Sequence, residues 1–215
     1  AVAIYIFLLV PEYLLRFIAF VLTRIVYRFK VHGDEHIPVQ GPALLVCNHV
    51  SFVDAVLLMA ASPRPIRFMM DYRIFATPVL GAMFRLGKAI PVAPAREDAA
   101  IYERAFEEAA AVLSDDELLC IFPEGSITRD GRLDEFKGGF MKVLERNPVP
   151  VIPMALQNLW GSYFSRIEGR AMSKPFRRGW FSSVTLVVGR PEPPTHVSPE
   201  KLREQVAALL AVKVP

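Results

Sequence analysis

Residues 42–54 read PALLVCNHVSFVD and carry the clearest indication of the fold. Its first six residues are continuously apolar, which is typical of a strand that is buried on both faces of a sheet. His49 follows the end of this strand, and a helical pattern begins shortly after it. A buried strand that leads directly into a helix indicates an α/β unit.

Helical and strand-like patterns alternate along the rest of the chain. The helical patterns lie at residues 51–61, 72–86, 97–113, 138–146 and 199–212, and the further strand patterns lie at residues 66–70, 89–92, 118–122, 149–156 and 184–188. The sequence therefore predicts an α/β domain with a mostly parallel central sheet flanked by helices. Because sites in such sheets collect at the carboxyl ends of strands, we expect functional residues after Cys47, Val92 and Phe122.

The composition is apolar but keeps many charges. The chain has 215 residues, enough for one well-cored domain, with 53% hydrophobic residues, 22% charged residues and a mean hydropathy of +0.31. This combination suits a protein that rests on a membrane better than one that crosses it repeatedly. The net charge is only +3, but Lys and Arg gather locally, which indicates anionic lipid head groups, phosphates or an acidic carrier protein as partners.

The cysteines and histidines do not indicate metal chemistry. Cys47 and Cys120 are each flanked by apolar residues, so we predict two buried, reduced thiols. The four histidines, His32, His36, His49 and His196, do not form a metal-ligand cluster in the sequence. We therefore predict that the chain has no metal site.

The first thirty residues are predicted to form a segment of their own. Residues 1–10 are almost wholly apolar but reach only half of the ~20 residues that a spanning helix needs. An amphipathic helical pattern follows from Pro11 onward. We therefore expect residues 1–30 to be a membrane-associating helical segment and residues 31–215 to be the α/β domain.

The amphipathic helix has an Arg-rich face. At 100° per residue, the polar arc holds Glu12, Tyr13, Arg16, Thr23, Arg24, Tyr27 and Arg28, and the apolar arc holds Leu14, Leu15, Ile18, Ala19, Val21, Leu22, Ile25 and Val26. Such a helix either packs on the core of its own domain or lies in the membrane interface. We favour the interface, because arginines and aromatic residues lie side by side and a second apolar segment precedes them.

His49 and Asp54 form the first candidate pair for chemistry. A carboxylate in the first turn of a helix can reach back to one imidazole nitrogen of a histidine at the preceding strand end, while the other nitrogen faces a cleft. This arrangement fixes the tautomer and stabilises the imidazolium that forms on taking a proton. There is also a structural interpretation, because Ser51 and Asp54 fit a capping box in which the carboxylate satisfies helix-start amides. The two roles do not exclude each other.

Residues 122–131 read FPEGSITRDG and also follow an apolar strand. Glycine lets backbone amides approach a ligand closely, hydroxyl groups donate hydrogen bonds, and Arg129 is suited to hold a phosphate. A plain strand-to-loop turn explains the proline and the glycines equally well. It does not explain Glu124, because an unpaired carboxylate at the end of a buried strand is costly.

These two motifs together resemble the glycerolipid acyltransferase family, which contains the lysophosphatidic acid acyltransferases. NHVSFVD at residues 48–54 and FPEGSITRDG at residues 122–131 carry the resemblance. The Phe-Lys-x-Gly block of the family is matched by residues 136–139, and a further block is matched by residues 149–153. The resemblance extends over residues 31–189, so that it implies an acyltransferase domain within residues 31–215.

The resemblance implies roles for individual residues. His49 is the expected general base, and Asp54 is its orienting partner in the catalytic pair. The expected acceptor-binding residues are Glu124, Gly125, Ser126 and Thr128, with Arg129 and Lys137 as candidates for the head-group phosphate.

Two departures from the family pattern bear on the acceptor. Ile127 stands where the phosphatidic-acid-forming relatives usually carry arginine, and residues 87–94 lack a closing arginine because Arg96 is displaced. The loss of these guanidinium groups would weaken recognition of a phosphate monoester. The two motifs most resemble those of the 2-acylglycerophosphoethanolamine acyltransferase branch, whose domains are often fused to a transporter or an acyl-activating enzyme. A start without Met inside an apolar segment would fit such a fusion.

The expected function is transfer of a fatty acyl group from acyl carrier protein or coenzyme A to a lysophospholipid, without a further cofactor. The expected acceptor is 2-acylglycerophosphoethanolamine, with lysophosphatidic acid (1-acylglycerol-3-phosphate) as the alternative, at the cytoplasmic face of the inner (plasma) membrane. Residues 162–181 combine cations with aromatic residues, which indicates contact with membrane phospholipid or with an acidic acyl carrier protein. Nucleic acid is not an expected partner, for want of a recognition motif. The alternative of another class is a non-catalytic domain that binds membrane phospholipid.

Overall fold

The computed structural model describes residues 11–51, 53–161 and 182–213. The helices are α1 (Pro11–Val26), α2 (Asp54–Ala61), α3 (Pro78–Leu86), α4 (Ala99–Ser114), α5 (Gly139–Arg146) and α6 (Pro199–Ala211). The strands are β1 (Tyr27–His32), β2 (Ala43–Cys47), β3 (Ile66–Asp71), β4 (Ile90–Val92), β5 (Leu118–Ile121), β6 (Val151–Gln157) and β7 (Ser182–Val188). The apolar start at residues 1–10 and the basic stretch at residues 162–181 lie outside the described residues.

The strands form one seven-stranded sheet in the order β1-β7-β6-β2-β5-β3-β4. The strands from β2 to β6 run parallel to one another. β7 is antiparallel to β6, and β1 is parallel to β7. The prediction of an α/β domain with a mostly parallel central sheet is therefore confirmed.

The central strand β2 is buried because helices cover both faces of the sheet. Leu45 and Cys47 point into one hydrophobic cluster, which also contains Leu57 of α2. Leu44 and Val46 point into a second cluster, which is formed with residues of α4, α5 and α6. Successive side chains of a strand point to opposite faces, so a strand with two covered faces must be apolar at every position. This explains the continuous apolar run that the sequence shows.

The helical pattern predicted at residues 72–86 is divided in the structure. A 3₁₀ helix covers Tyr72–Ala76, and α3 begins only at Pro78. Thr77 separates them in an extended conformation, which is favoured for a residue that precedes proline. Its side chain accepts a hydrogen bond from the Gly81 amide at 3.2 Å and so caps the new helix.

Strand β1 is absent from the sequence-based prediction. Tyr27–His32 alternates apolar and polar residues with the period of a strand, but the helical pattern of α1 extends over its first two residues. β1 pairs with β7 along its whole length. The boundary predicted between residues 30 and 31 therefore falls inside a strand of the sheet.

Helix α1 turns a largely apolar face away from the domain. Ala19 and Thr23 are buried, and the Thr23 hydroxyl donates to the carbonyl oxygen of Phe20 at 3.1 Å. The large hydrophobic residues exposed on this helix are Tyr13, Phe17, Ile18, Phe20, Val21 and Ile25. Thr23 of the predicted polar arc therefore packs inward, whereas Ile18, Val21 and Ile25 of the apolar arc point outward. The location of this helix in a membrane interface stays a prediction. No helix within the described ranges combines the length and apolarity needed to cross a bilayer.

Candidate active site

Strands β2, β5 and β6 end at the same edge of the sheet, because they are parallel and adjacent. The loops after Cys47 and Ile121 therefore lie side by side, as the strand-end rule predicts. The third predicted position, after Val92, follows β4 at the outer end of the sheet, three strands away from β2. The candidate site is built by the loops that follow β2, β5 and β6.

His49 and Asp54 form a hydrogen-bonded pair. Nδ1 of His49 lies 2.8 Å from Oδ2 of Asp54, whose side chain is fully buried, while the His49 side chain is 22% exposed. An ionised carboxylate can only accept hydrogen bonds, so this contact assigns the proton of the neutral ring to Nδ1. Nε2 is then the basic nitrogen, on the side of the ring away from Asp54.

Asp54 also supports the backbone before α2. The same Oδ2 accepts the amides of Val50 at 2.7 Å and of Ser51 at 2.9 Å. The bond from Ser51 is the one that the carboxylate of a capping box would make, but the reciprocal bond is missing, because the Ser51 hydroxyl accepts the amide of Val53 at 3.4 Å and α2 begins after Val53. Asp54 therefore combines both interpretations, since it holds the imidazole and satisfies amides of the turn that carries it.

The imidazole plane is fixed by an aromatic neighbour. The ring of Phe122, the first residue after β5, stacks on His49 with centroids 4.4 Å apart and an angle of 18° between the planes. Phe68 of β3 packs beyond Phe122, with its centroid 6.3 Å away. Asp54 and Phe122 together leave the imidazole little freedom to rotate.

Glu124 connects the two loops. It is 3% exposed, and its Oε1 accepts the backbone amide of His49 at 2.6 Å while its Oε2 accepts the amide of Asp134 at 3.0 Å. Burial raises the pKa of Glu124, and the two backbone donors oppose this rise. The carbonyl oxygen of His49 accepts the amide of Thr128 at 2.9 Å, so the backbone of His49 is held by the neighbouring loop on both sides.

The other predicted acceptor-binding residues lie on the loop after β5. Gly125 has a φ of +70°, and a Cβ at this position would lie 2.6 Å from Nζ of Lys137. Thr128 is buried, and its hydroxyl donates to the carbonyl oxygen of Arg132 at 2.9 Å. Ser126, Arg129 and Lys137 are exposed.

A cleft of about 590 Å³ opens beside His49. Of the predicted residues, His49, Glu124 and Thr128 line it, whereas Gly125, Ser126, Arg129 and Lys137 are not among the described lining residues. The catalytic and binding roles assigned to all of these residues stay predictions. Asp54 lies beneath His49, out of the cleft.

Sequence reasoning missed the opposite side of the cleft. It is lined by residues of β1, β6 and β7, of the loop after β6 and of the segment at the end of α6, among them Lys30, Gln157, Trp160, Thr185 and Lys213. The strand-end rule, applied to β6, would have indicated residues 157–160. The rest depends on the reversal of β7 and on the pairing of β1, for which the local sequence carries no signal.

Asn48 is a further residue that sequence reasoning missed. It is buried, its Oδ1 accepts the amide of Leu156 at 2.8 Å, and its Nδ2 donates to the carbonyl oxygen of Leu156 at 3.2 Å. The side chain thus continues the β2–β6 pairing by one residue and fixes the point at which the chain turns towards His49.

The cysteines are not arranged for nucleophilic chemistry. Cys47 and Cys120 are free thiols and fully buried, as predicted. Burial raises the pKa of both thiols, which disfavours the thiolate. Within the described part of the chain, His, Cys, Asp and Glu side chains do not form a group of three that could hold a metal ion.

Comparison with known proteins places these loops in a family. The sequence model of the Acyltransferase family matches residues 28–157. A 1-acyl-sn-glycerol-3-phosphate acyltransferase of Limnanthes douglasii is 33% identical over 128 residues, which are 59% of this chain and 44% of that relative. The chloroplastic 1-acyl-sn-glycerol-3-phosphate acyltransferase LPAT1 of Arabidopsis thaliana is 29% identical over 131 residues, which are 60% of this chain and 36% of that relative. The chain spans less than half of the length of these relatives.

A solved structure has the same fold. The crystal structure of PlsC, the 1-acyl-sn-glycerophosphate (LPA) acyltransferase of Thermotoga maritima, matches with a TM-score of 0.65 and 24% identity, covering 86% of this chain and 69% of that chain. The family match covers more than half of the present chain and includes both loops that hold His49. The chain therefore belongs to the acyltransferase family.

Proposed function

We propose that the chain transfers a fatty acyl group from an acyl thioester to the free glycerol hydroxyl of a lysophospholipid, with His49 as general base. The observation that carries this proposal is the 2.8 Å contact between Nδ1 of His49 and the buried carboxylate of Asp54 at the edge of a cleft. A buried carboxylate that contacts a partly exposed imidazole is the arrangement that a general base needs.

The proposed reaction needs one base. Nε2 of His49 takes the proton of the hydroxyl while its oxygen attacks the thioester carbon, and Asp54 stabilises the imidazolium that forms. The tetrahedral intermediate collapses with cleavage of the carbon–sulfur bond. The thiolate, whose thiol has a pKa of ~8.5 by analogy with cysteine, then leaves and receives the proton from the imidazolium. No covalent bond between acyl group and protein is required.

Two acceptors are candidates within this reaction. We favour 2-acylglycerophosphoethanolamine, because the buried, apolar side chain of Ile127 stands where a phosphate-binding arginine would be expected. Lysophosphatidic acid is the second candidate, because the relatives from Limnanthes douglasii and Arabidopsis thaliana are 1-acyl-sn-glycerol-3-phosphate acyltransferases. The proposed donor is a thioester of acyl carrier protein or coenzyme A.

The exposed face of α1 supports a location at a membrane surface. Its exposed aromatic and aliphatic side chains suit the interface between head groups and acyl chains. Because β1 is parallel to β7 and β7 is antiparallel to β6, β1 begins at the edge where β2, β5 and β6 end. The end of α1 therefore lies at the edge of the sheet that carries the cleft. The cytoplasmic face of the inner membrane is the proposed site, and fusion to a transporter or acyl-activating domain stays a prediction.

A spectrophotometric assay of thiol release tests the proposal. The chain is incubated with acyl-coenzyme A or acyl carrier protein thioester and a panel of lysophospholipids that differ in head group and acyl position. We expect thiol release that depends on the acceptor, with the ethanolamine head group preferred. Binding of lysophospholipid to vesicles without any acceptor-dependent thiol release would instead favour the non-catalytic phospholipid-binding domain.

A further inference from the structure

The charged side chains of the cleft are unevenly distributed in sign. The cations that line it are Lys30, Arg132 and Lys213, and Glu124 is the one carboxylate among its described lining residues. Both oxygens of Glu124 already accept backbone amides. The cleft is therefore suited to attract an anion beside His49.

Lys30 is held in place by the sheet. It pairs with Thr185 of β7, which in turn pairs with Gln157 of β6. Partners that lie opposite each other in neighbouring strands have their side chains on the same face. A polar row therefore crosses three strands at the edge that carries the cleft, where an apolar row would be expected for a sheet face covered by a helix.

Lys213 is held at the cleft by the end of α6. Nε2 of Gln157 donates to the carbonyl oxygens of Leu209 at 2.7 Å and of Val212 at 2.9 Å. Both carbonyl groups lie at the end of α6, where the helix no longer supplies a donor to every carbonyl oxygen, and that of Leu209 also accepts the Val212 amide at 3.3 Å. Gln157 thus ties the end of α6 to the polar row of the sheet, and the cation that follows Val212 lies at the cleft.

Arg132 completes the set from the loop after β5. Its carbonyl oxygen accepts the hydroxyl of buried Thr128, and its amide donates to Oδ1 of Asp130 at 3.0 Å, so its backbone is ordered. Its guanidinium is 3.8 Å from the other carboxylate oxygen of Asp130, and both side chains are largely exposed. Such an exposed pair is weak and leaves the guanidinium able to turn to a stronger anion.

We propose that this cationic rim, formed by Lys30, Arg132 and Lys213, binds the phosphate of a substrate that reacts at His49. The inference rests on the proposed acyl transfer for the identity of the phosphate, which belongs to the lysophospholipid head group or to the phosphopantetheine arm of the thioester carrier. The cationic rim is a different phosphate site from the one that the sequence indicates, which consists of Arg129 and Lys137. Because the cationic rim does not include residue 127, a phosphate can bind there without an arginine in place of Ile127.

Substrate kinetics with charge-removing variants test the cationic rim. Lys30→Gln, Arg132→Gln and Lys213→Gln are each expected to raise the KM of the phosphate-bearing substrate about threefold, and the triple variant by about tenfold or more, with little change in kcat. A rise confined to the lysophospholipid assigns the head group, and a rise confined to the thioester assigns the carrier. Monoacylglycerol, which lacks the phosphate, serves as the acceptor whose KM should not change if the head group is bound.

The control variants each remove one positive charge at a position outside the cleft. Lys201→Gln on α6 and Arg104→Gln on α4 remove exposed cations outside the cleft lining and should leave both KM values unchanged. A triple variant with wild-type KM for both substrates overturns the inference. So does a KM increase that appears in Arg129→Gln and Lys137→Gln but not in the triple variant.

A binding measurement separates this inference from the proposed function. Calorimetric titration of a short-chain lysophospholipid and, separately, of coenzyme A into the His49→Ala variant reads recognition without turnover. The same titrations are made with a His49→Ala variant that also carries the three rim substitutions. Its lower affinity for one of these probes supports the cationic rim, even if wild-type protein releases no thiol. Equal affinity for both probes with and without the three substitutions overturns it, whatever the activity.

Discussion

The imidazole side and the cationic side of the cleft are built in opposite ways. His49 is held by buried or backbone groups, with Asp54 on the ring, Glu124 on the amide and Thr128 on the carbonyl oxygen. The cationic rim consists of exposed side chains on three separate elements. Single buried contacts are strong and directional, whereas exposed charges each contribute little. We therefore expect chemistry to depend on single atoms of the first region and affinity to depend on the summed charge of the second.

The largest effect expected from a change around His49 is that of Asp54→Asn. The amide keeps the size of the carboxylate but cannot stabilise the imidazolium, and its NH₂ group competes for the ring nitrogen. We expect a loss of about 10²- to 10⁴-fold in kcat, with the free energy of unfolding lower by about 1–3 kcal/mol. Initial rates of thiol release measure the first quantity, and denaturant titration measures the second.

An NMR measurement distinguishes orientation from simple support of the turn. In wild-type protein labelled with ¹⁵N-histidine, His49 should be the Nδ1-protonated tautomer, and Asp54→Asn should change this signature. If Asp54→Asn unfolds more easily but its folded fraction keeps the wild-type rate and tautomer, Asp54 only supports the backbone before α2.

A smaller effect is expected for Glu124→Gln. One of the two backbone amides, of His49 or of Asp134, then faces an NH₂ group instead of an oxygen. We expect the free energy of unfolding to fall by about 1–3 kcal/mol and kcat to fall by roughly tenfold, because the backbone of His49 shifts. Glu107→Gln, on the exposed side of α4, is the matched control. Unchanged kcat and stability in Glu124→Gln would remove the positioning role of this carboxylate.

The smallest effect is expected for Phe122→Leu. The substitution removes the ring that stacks on His49, and we expect a loss of about 1–2 kcal/mol in stability with a decrease of kcat by roughly threefold. Phe106→Leu, in the second hydrophobic cluster, is the control because it removes a buried ring of the same size away from the site. Equal kcat in the two variants would mean that the stacking does not orient the imidazole.

Most of the fold could be predicted, because the deciding signals are local. The continuous apolar run of β2 and the alternation of helix and strand patterns are properties of short windows, and they imply a parallel sheet. β1 was missed because a helical window extended into Tyr27 and Arg28, although period-2 alternation begins there. The inward packing of Thr23 was missed because periodicity alone does not tell which side of a helix meets the domain.

The candidate site likewise consists of residues that local sequence predicts and residues that depend on long-range pairing. The strand-end rule brings the loops of His49 and Glu124 together, because both follow neighbouring parallel strands. Lys30 and Lys213 could not be predicted to line the same cleft as His49, because their placement depends on β7 reversing between β6 and β1 and on Gln157 holding the end of α6. Such long-range pairing is not encoded in the residues beside them.

The role of His49 as general base is tested by the rate of thiol release by His49→Ala with the best acceptor of the panel. The matched control is His196→Ala, which removes an exposed histidine from a 3₁₀ helix outside the cleft lining. We predict that His49→Ala binds lysophospholipid and unfolds like the wild type but loses at least about 10³-fold in acceptor-dependent rate, while His196→Ala is unaffected. A folded His49→Ala protein that releases thiol at the wild-type rate would show that His49 is not the general base.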